Sequence, residues 1–117
     1  TLPDGADAGL FVDLDVVVLQ DLNLLWDEFA CFDARQALGM TPEREYGDPN
    51  YRPVRFPWPI AIPGGVNAGL VLLNYTRLRQ AQFFENLQQL FTPRRSWMKW
   101  GEQDLLNVYT TETPGSL

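Results

Sequence analysis

Two carboxylates, Asp13 and Asp15, stand one residue apart inside the run Gly9-Leu10-Phe11-Val12-Asp13-Leu14-Asp15-Val16-Val17-Val18-Leu19, which is otherwise apolar. An unpaired carboxylate among buried residues is costly to desolvate, so such a pair calls for a cation or for hydrogen-bond donors. Leu10 to Val12 read as a short buried strand, and alternate side chains of an extended segment share a face, so both carboxylates would point the same way at its carboxyl end. Oxygen-only ligands at that spacing suit a hard divalent ion such as Mg²⁺ or Mn²⁺ at the carboxyl edge of an α/β sheet. Taken alone the pattern is short, and a turn cap at Asp13 with Asp15 facing water is the simpler reading.

Two further stretches carry polar groups at element ends. Gly65-Val66-Asn67-Ala68-Gly69-Leu70-Val71-Leu72-Leu73-Asn74 reads as a second buried strand entered through small residues. Glycine and alanine there permit close backbone approach by a ligand, and Asn67 offers a donor and an acceptor; a bulge or tight turn explains them equally. Trp100-Gly101-Glu102-Gln103-Asp104-Leu105-Leu106-Asn107-Val108-Tyr109 reads as a short helix whose acidic and amide residues either cap it or face hydroxyl groups.

The elements that must position these groups are one domain's worth or a piece of one, since the chain has 117 residues. Hydrophobic residues at 45% and aromatic residues at 13% argue for a folded body. A net charge of −6 speaks against nucleic acid or an anionic membrane as a general partner. The charge is uneven: residues 1–76 carry −7 and residues 77–117 carry +1, a split read more simply as a solvated surface than as a cation-assisted anion site. Cys31, the single cysteine, forms no internal disulfide and is expected as a small apolar core residue. There is no histidine, which excludes histidine acid/base chemistry within these residues and limits any metal site they form to oxygen ligands. No stretch is apolar enough to span a membrane, no signal-peptide pattern opens the chain, and its abrupt start reads as cut from something longer.

After the Asp pair, Val16 to Leu19 read as another extended run. Asp21 or Asn23 is placed to cap a helix through Leu24 to Phe29, with Leu25 and Phe29 on one core-facing side. A strand is expected at Ala30 to Asp33, then a turn or short helix. Thr41 to Gly65 hold six of the nine prolines, with Tyr46, Tyr51, Phe56 and Trp58 interleaved, which reads as an ordered lid or a loop anchored by its aromatics. Thr76 to Phe91 have helical spacing, with Thr76 as N-cap and Pro93 as stop. Asn74-Tyr75-Thr76 matches the N-glycosylation sequon at a strand end, where occupancy is not expected. Arg94, Arg95 and Lys99, set among Trp97 and Trp100, read as a solvated basic loop before they read as a phosphate site.

Three stretches in a fixed order resemble glycosyltransferase family 8, most closely its glucoside xylosyltransferase branch: Leu10 to Asp15, Gly65 to Arg79 and Trp100 to Asn107. Met40-Thr41-Pro42-Glu43 is similar to the family segment between the first two. The resemblance spans roughly residues 2–109. It implies an α/β fold of partial GT-A type, Rossmann-like, as the central part of a nucleotide-sugar transferase catalytic domain. It implies that Asp13 and Asp15 hold Mn²⁺ against the diphosphate of a UDP-sugar. It implies further that Leu14, Asn67, Ala68, Gly69 and Asp104 line the donor, and that Gln103 lies near the anomeric carbon beside an acidic residue that binds sugar hydroxyls. Glu102 stands at the position before the glutamine where the family usually carries aspartate. The family's third metal ligand is a histidine in a later segment, and this chain has none. The branch implies retention of configuration, xylose passing from UDP-xylose to O-linked glucose on EGF-like repeats of a glycoprotein, and a parent protein in the Golgi or endoplasmic reticulum lumen, membrane-anchored outside these residues. With two of three metal ligands, the piece alone is expected to be inactive or nearly so.

Two alternatives compete. A haloacid-dehalogenase-type phosphatase also ends a hydrophobic strand in Asp-x-Asp, but it needs a later lysine and acidic pair, and Lys99 is the only lysine. A non-catalytic sugar- or partner-binding remnant of the transferase family is the other.

Overall fold

The structure, a computed structural model, describes residues 4–43 and 60–117. Most of the proline-rich stretch, with Tyr46, Tyr51, Phe56 and Trp58, lies outside the described residues.

Strand β1, Ala8–Val12, ends before Asp13 as its sequence suggests. The chain does not stay extended beyond it. The Val16 N–H donates to the Asp13 carbonyl at 3.1 Å and closes a turn over Leu14 and Asp15. The period-two arrangement expected of the two carboxylates is therefore replaced by a turn. Val16 to Leu19 likewise join no described strand, and their side chains are exposed, Val17 to 76% and Leu19 to 84%.

Asp21 caps helix α1, Leu22–Trp26, by accepting from the Asn23 N–H at 2.9 Å. The helix then tightens into a 3₁₀ turn, Asp27–Cys31, where a strand from Ala30 was expected. Trp26, Phe29 and Phe32 explain the change. They lie three residues apart, and their rings meet in sequence at centroid distances of 5.1 and 5.2 Å, as side chains one 3₁₀ turn apart do. That winding turns Cys31 outward, so it is exposed and not a core residue. Leu25 and Phe29 are only partly buried. Asp33 then redirects the chain: its carboxylate accepts from the backbone N–H of Arg35 at 2.7 Å and of Gln36 at 3.0 Å, which holds it below its ordinary pKa.

Strand β2, Leu38–Pro42, follows, and β3, Val66–Asn74, lies between β1 and β2, antiparallel to both. The helical stretch after β3 is two helices, α2 at Tyr75–Gln80 and α3 at Phe83–Arg94, separated by the left-handed Gln82. Leu78 and Phe83 show why. Five residues apart on an unbroken helix they would point roughly 140° apart, yet both are buried in one core. The break turns both toward the sheet. Asn74 is the α2 cap in place of Thr76, accepting from the Arg77 N–H at 3.0 Å, while the Thr76 hydroxyl donates to Asp7 at 3.1 Å. Pro93 sits within the last turn of α3 and does not stop it.

Helix α4, Glu102–Glu112, completes the helical layer. The core joins Ala37, Leu38 and Val71 of the sheet side to Leu78, Phe83 and Tyr109 of the helices, with the rings of Phe83 and Tyr109 edge to face at 4.9 Å. Burial raises the pKa of Tyr109. The chain end straps this layer to β2, since the Ser116 carbonyl accepts from Ala37 and Leu38 at 2.8 and 2.9 Å. Leu78 is fully buried. Replacing it with alanine should lower unfolding stability by about 2–5 kcal/mol, read as a lower denaturant midpoint with an unchanged slope.

Candidate functional site

Strand polarity determines what meets at the sheet's edge. Because β3 runs antiparallel to both neighbours, the carboxyl ends of β1 and β2 lie beside its amino end. Asp13, just past β1, Glu43, just past β2, and Asn67, Ala68 and Gly69 of β3 are thereby brought to one edge. Asp13 is tied there by its backbone N–H, which donates to the Gly69 carbonyl at 2.9 Å.

Helix α4 delivers the remaining groups. The Asn107 side chain binds Val66 as a strand partner would, with Oδ1 accepting from the Val66 N–H at 2.8 Å and Nδ2 donating to the Val66 carbonyl at 3.1 Å. One helical turn earlier, Gln103 Oε1 accepts from the Ala68 N–H at 3.1 Å. The spacings match, since four helical residues rise about 6 Å and two strand residues about 6.6 Å. Gly65 makes room for this: at a φ of +89° it carries no Cβ, which would lie 2.8 Å from Asn107 Oδ1.

The backbone of β3 needs these side chains. The β2–β3 register jumps between Met40 and Thr41, from Val71 to Asn67, so Ala68, Gly69 and Leu70 have no paired residue on β2. Gln103 takes the Ala68 N–H, and Asn67 Oδ1 takes the Gly69 N–H at 2.8 Å. A Cβ on Gly69 would lie 3.0 Å from Asn67 Oδ1 and 3.4 Å from Asp13 Oδ2. The bulge alternative for this stretch is thus present, while the β1–β3 pairing, continued by the Asp13 N–H, sets Asp13 beside Gly69.

The other residues singled out by sequence sit differently. Asp15 and Leu14 occupy the turn after β1, both exposed, Leu14 wholly so. Glu102 is exposed on the first turn of α4. Asp104 is buried, and its Oδ2 accepts from the backbone N–H groups of Lys99 at 2.7 Å and Trp100 at 2.9 Å, so this oxygen holds the loop that leads into α4. Two residues were missed as members of the site. Asn107 could have been found from its position four residues after Gln103, on the same helical face. Glu43 accepts from Asn67 Nδ2 at 3.1 Å and from Gln103 Nε2 at 3.2 Å; its signal was a carboxylate directly after an apolar strand segment, as at Asp13.

Chemically, the edge offers the Asp13 carboxylate, amide N–H groups from Asn67 and Gln103, and a glycine that keeps one side of Asp13 open, with the exposed Asp15 two residues on in the turn. The oxygen donors here of the kind a hard divalent cation takes are the carboxylates of Asp13 and Asp15, two ligands that would leave the rest of its shell to phosphate oxygens and water. Among the described residues no group of three or more His, Cys, Asp or Glu is arranged to hold a metal.

The profile described as Glycosyl transferase family 8 matches residues 4–113. Glucoside xylosyltransferase 1 of Danio rerio is 36% identical over 115 residues, covering 87% of this chain and 28% of that protein. Its human counterpart is 31% identical over 132 residues, covering 95% of this chain and again 28% of the relative. The chain therefore spans little more than a quarter of these relatives. The fold is similar to the crystal structure of mouse xyloside xylosyltransferase 1 in its apo form, with a TM-score of 0.69 at 22% identity, over 98% of this chain and 46% of that one.

The clamp between α4 and β3 is testable without any ligand. Asn107→Asp keeps an acceptor for the Val66 N–H but sets a second carboxylate oxygen against the carbonyls of Val66 and Gln103, which now receive Nδ2. An uncompensated buried charge should cost about 3 kcal/mol or more of unfolding stability, measured by denaturant titration at neutral pH.

Proposed function

The chain belongs to glycosyl transferase family 8, and from that premise we propose that it forms the central part of a retaining glycosyltransferase site for a UDP-sugar donor, UDP-xylose in the first instance. The observation that carries this reading is the meeting of Asp13, Asn67 and Gly69 at one edge of the sheet, with Gln103 bonded to Ala68 beside them. Membership of this family sets the phosphatase alternative aside.

In this reading Asp13 and Asp15 hold a divalent cation such as Mn²⁺. When bound, the ion supplies Lewis acidity that neutralises charge developing on the departing nucleotide. The protein's own residues do the rest. Asn67 and Gln103 each keep one side-chain N–H for the sugar, to which a hydroxyl or ring oxygen can serve as acceptor. Gly69 lets the donor approach the backbone. Gln103 stands near the anomeric carbon, Glu102 meets sugar hydroxyls, and Leu14 and Asp104 complete the donor surroundings, Asp104 through the loop whose N–H groups it holds. The acceptor we propose is O-linked glucose on EGF-like repeats of a glycoprotein, and the setting is the Golgi or endoplasmic reticulum lumen, with a membrane anchor outside these residues. Among the described residues no helix is long and apolar enough to cross a membrane.

The sequence contains no histidine and so supplies two carboxylates toward the metal. The same observation favours a second reading, a binding remnant that holds donor or partner and transfers nothing. The donor-site reading common to both is tested by titrating UDP and UDP-xylose calorimetrically into the chain with Mn²⁺, alongside an assay for xylose transfer. We expect weak, metal-dependent binding, lost in the Asp13→Ala, Asp15→Ala double variant, and no measurable transfer by the chain alone. Transfer would eliminate the remnant reading. Absence of binding by a demonstrably folded chain, or binding indifferent to both the metal and the double substitution, would overturn the donor-site reading.

A further inference from the structure

We propose that Glu43 is the positioning residue of this site, a single carboxylate that sets the orientation of both donor-facing amides at once. Glu43 Oε2 receives one N–H from Asn67 Nδ2 and one from Gln103 Nε2, at 3.1 and 3.2 Å, although the two amides come from different elements, β3 and α4. An amide has two ends of nearly equal shape and opposite hydrogen-bonding sense, so geometry alone does not decide which end faces where. An ionised carboxylate accepts and cannot donate. Beside it, both amides must turn their nitrogen inward to Glu43, and their oxygens must then face away.

The directions in which those oxygens face are occupied by donors. Asn67 Oδ1 meets the Gly69 N–H at 2.8 Å, and Gln103 Oε1 meets the Ala68 N–H at 3.1 Å. These N–H groups lie where the register jump leaves β3 without paired residues on β2. Reversing either amide would bring its N–H₂ against a backbone N–H and its oxygen against a carboxylate, two repulsive contacts in place of two hydrogen bonds. Glu43, Asn67, Gln103 and the Ala68–Gly69 backbone thus form a network with one allowed polarity. Glu43 is itself held by its backbone N–H, which donates to the Gly65 carbonyl at 2.9 Å. Each amide nitrogen keeps a second N–H, so the site presents two N–H donors of fixed direction, suited to hydroxyl and ether oxygens of a sugar ring.

This inference rests on the donor-site reading for its consequence and not for its geometry, and the test separates the two. In the ¹⁵N-labelled full chain, the side-chain amide signals of Asn67 and Gln103 are followed in wild type, Glu43→Gln and Glu43→Asp, with Asn86, whose Nδ2 donates to the Ala81 carbonyl at 2.7 Å, as an internal reference. Glutamine keeps the size of the side chain but can donate as well as accept. Glu43→Gln should shift or split the Asn67 and Gln103 signals together and leave Asn86 unmoved, and Glu43→Asp, still acceptor-only, should restore a single set. UDP-xylose affinity with Mg²⁺ should fall about tenfold or more in Glu43→Gln and recover in part in Glu43→Asp, as loss of a fixed binding geometry predicts. Unchanged amide signals in Glu43→Gln overturn the positioning role, and so does a shift in the amides with no change in donor affinity. If the wild-type chain binds no donor, the donor-site reading fails and the amide signals alone decide whether Glu43 sets the polarity.

Discussion

The two-point pairing of Asn107 with Val66 is the contact on which the site depends. A helix and a strand share no backbone ladder, so their relative height is ordinarily set by apolar packing, which tolerates sliding. Here a buried amide reproduces the donor and acceptor of a missing strand neighbour. A slide of α4 along β3 would leave the Val66 N–H and carbonyl unpaired in a buried place, at a cost of several hydrogen bonds. The apolar side of the same helix reaches the core through Tyr109. Gln103 inherits its position from this arrangement, one turn up the helix and two residues along the strand.

The second constraint is strand polarity combined with a break in pairing. Antiparallel neighbours on both sides of β3 collect two carboxyl ends and one amino end at a single edge. Strand β1 pairs only with Leu70 to Asn74 and so ends short of Ala68 and Gly69, whose N–H groups are taken up by the side chains of Gln103 and Asn67. The early end of β1 thus frees this end of β3 to become a polar site.

Local chemistry made part of this legible from the sequence. Strands β1 and β3, the Asp21 cap and helix α4 follow from apolar runs, a capping side chain and helical spacing, all of which act over a few residues. The elements that were misread depend on partners distant in sequence. β2 begins at Leu38 because the Ser116 carbonyl and β3 receive its start, and nothing in residues 30–42 announces either. Helix α2 ends before Gln82 because Leu78 and Phe83 must share one core, which a single periodic stripe conceals. Cys31 was expected inside from its residue type, yet the aromatic stacking of Trp26, Phe29 and Phe32 turns it out. At the site, the short motifs identified Asp13, the Asn67 to Gly69 stretch and Gln103, and family resemblance gave them meaning. Glu43 and Asn107 were not singled out, because their roles consist entirely of contacts to other elements.

The claim that these separate segments make one metal and donor site is tested most directly by Mn²⁺ itself. Titrated into the ¹⁵N-labelled chain, the ion should broaden the backbone amides of Leu14, Asp15 and Gly69 first. The amides of Thr76 and Arg77, beyond the opposite end of β3, should stay sharp. If broadening instead began around the exposed carboxylates of Glu85 or Glu112, or spread evenly over the chain, the carboxyl end of β1 would not be the metal site and the shared-site claim would be wrong.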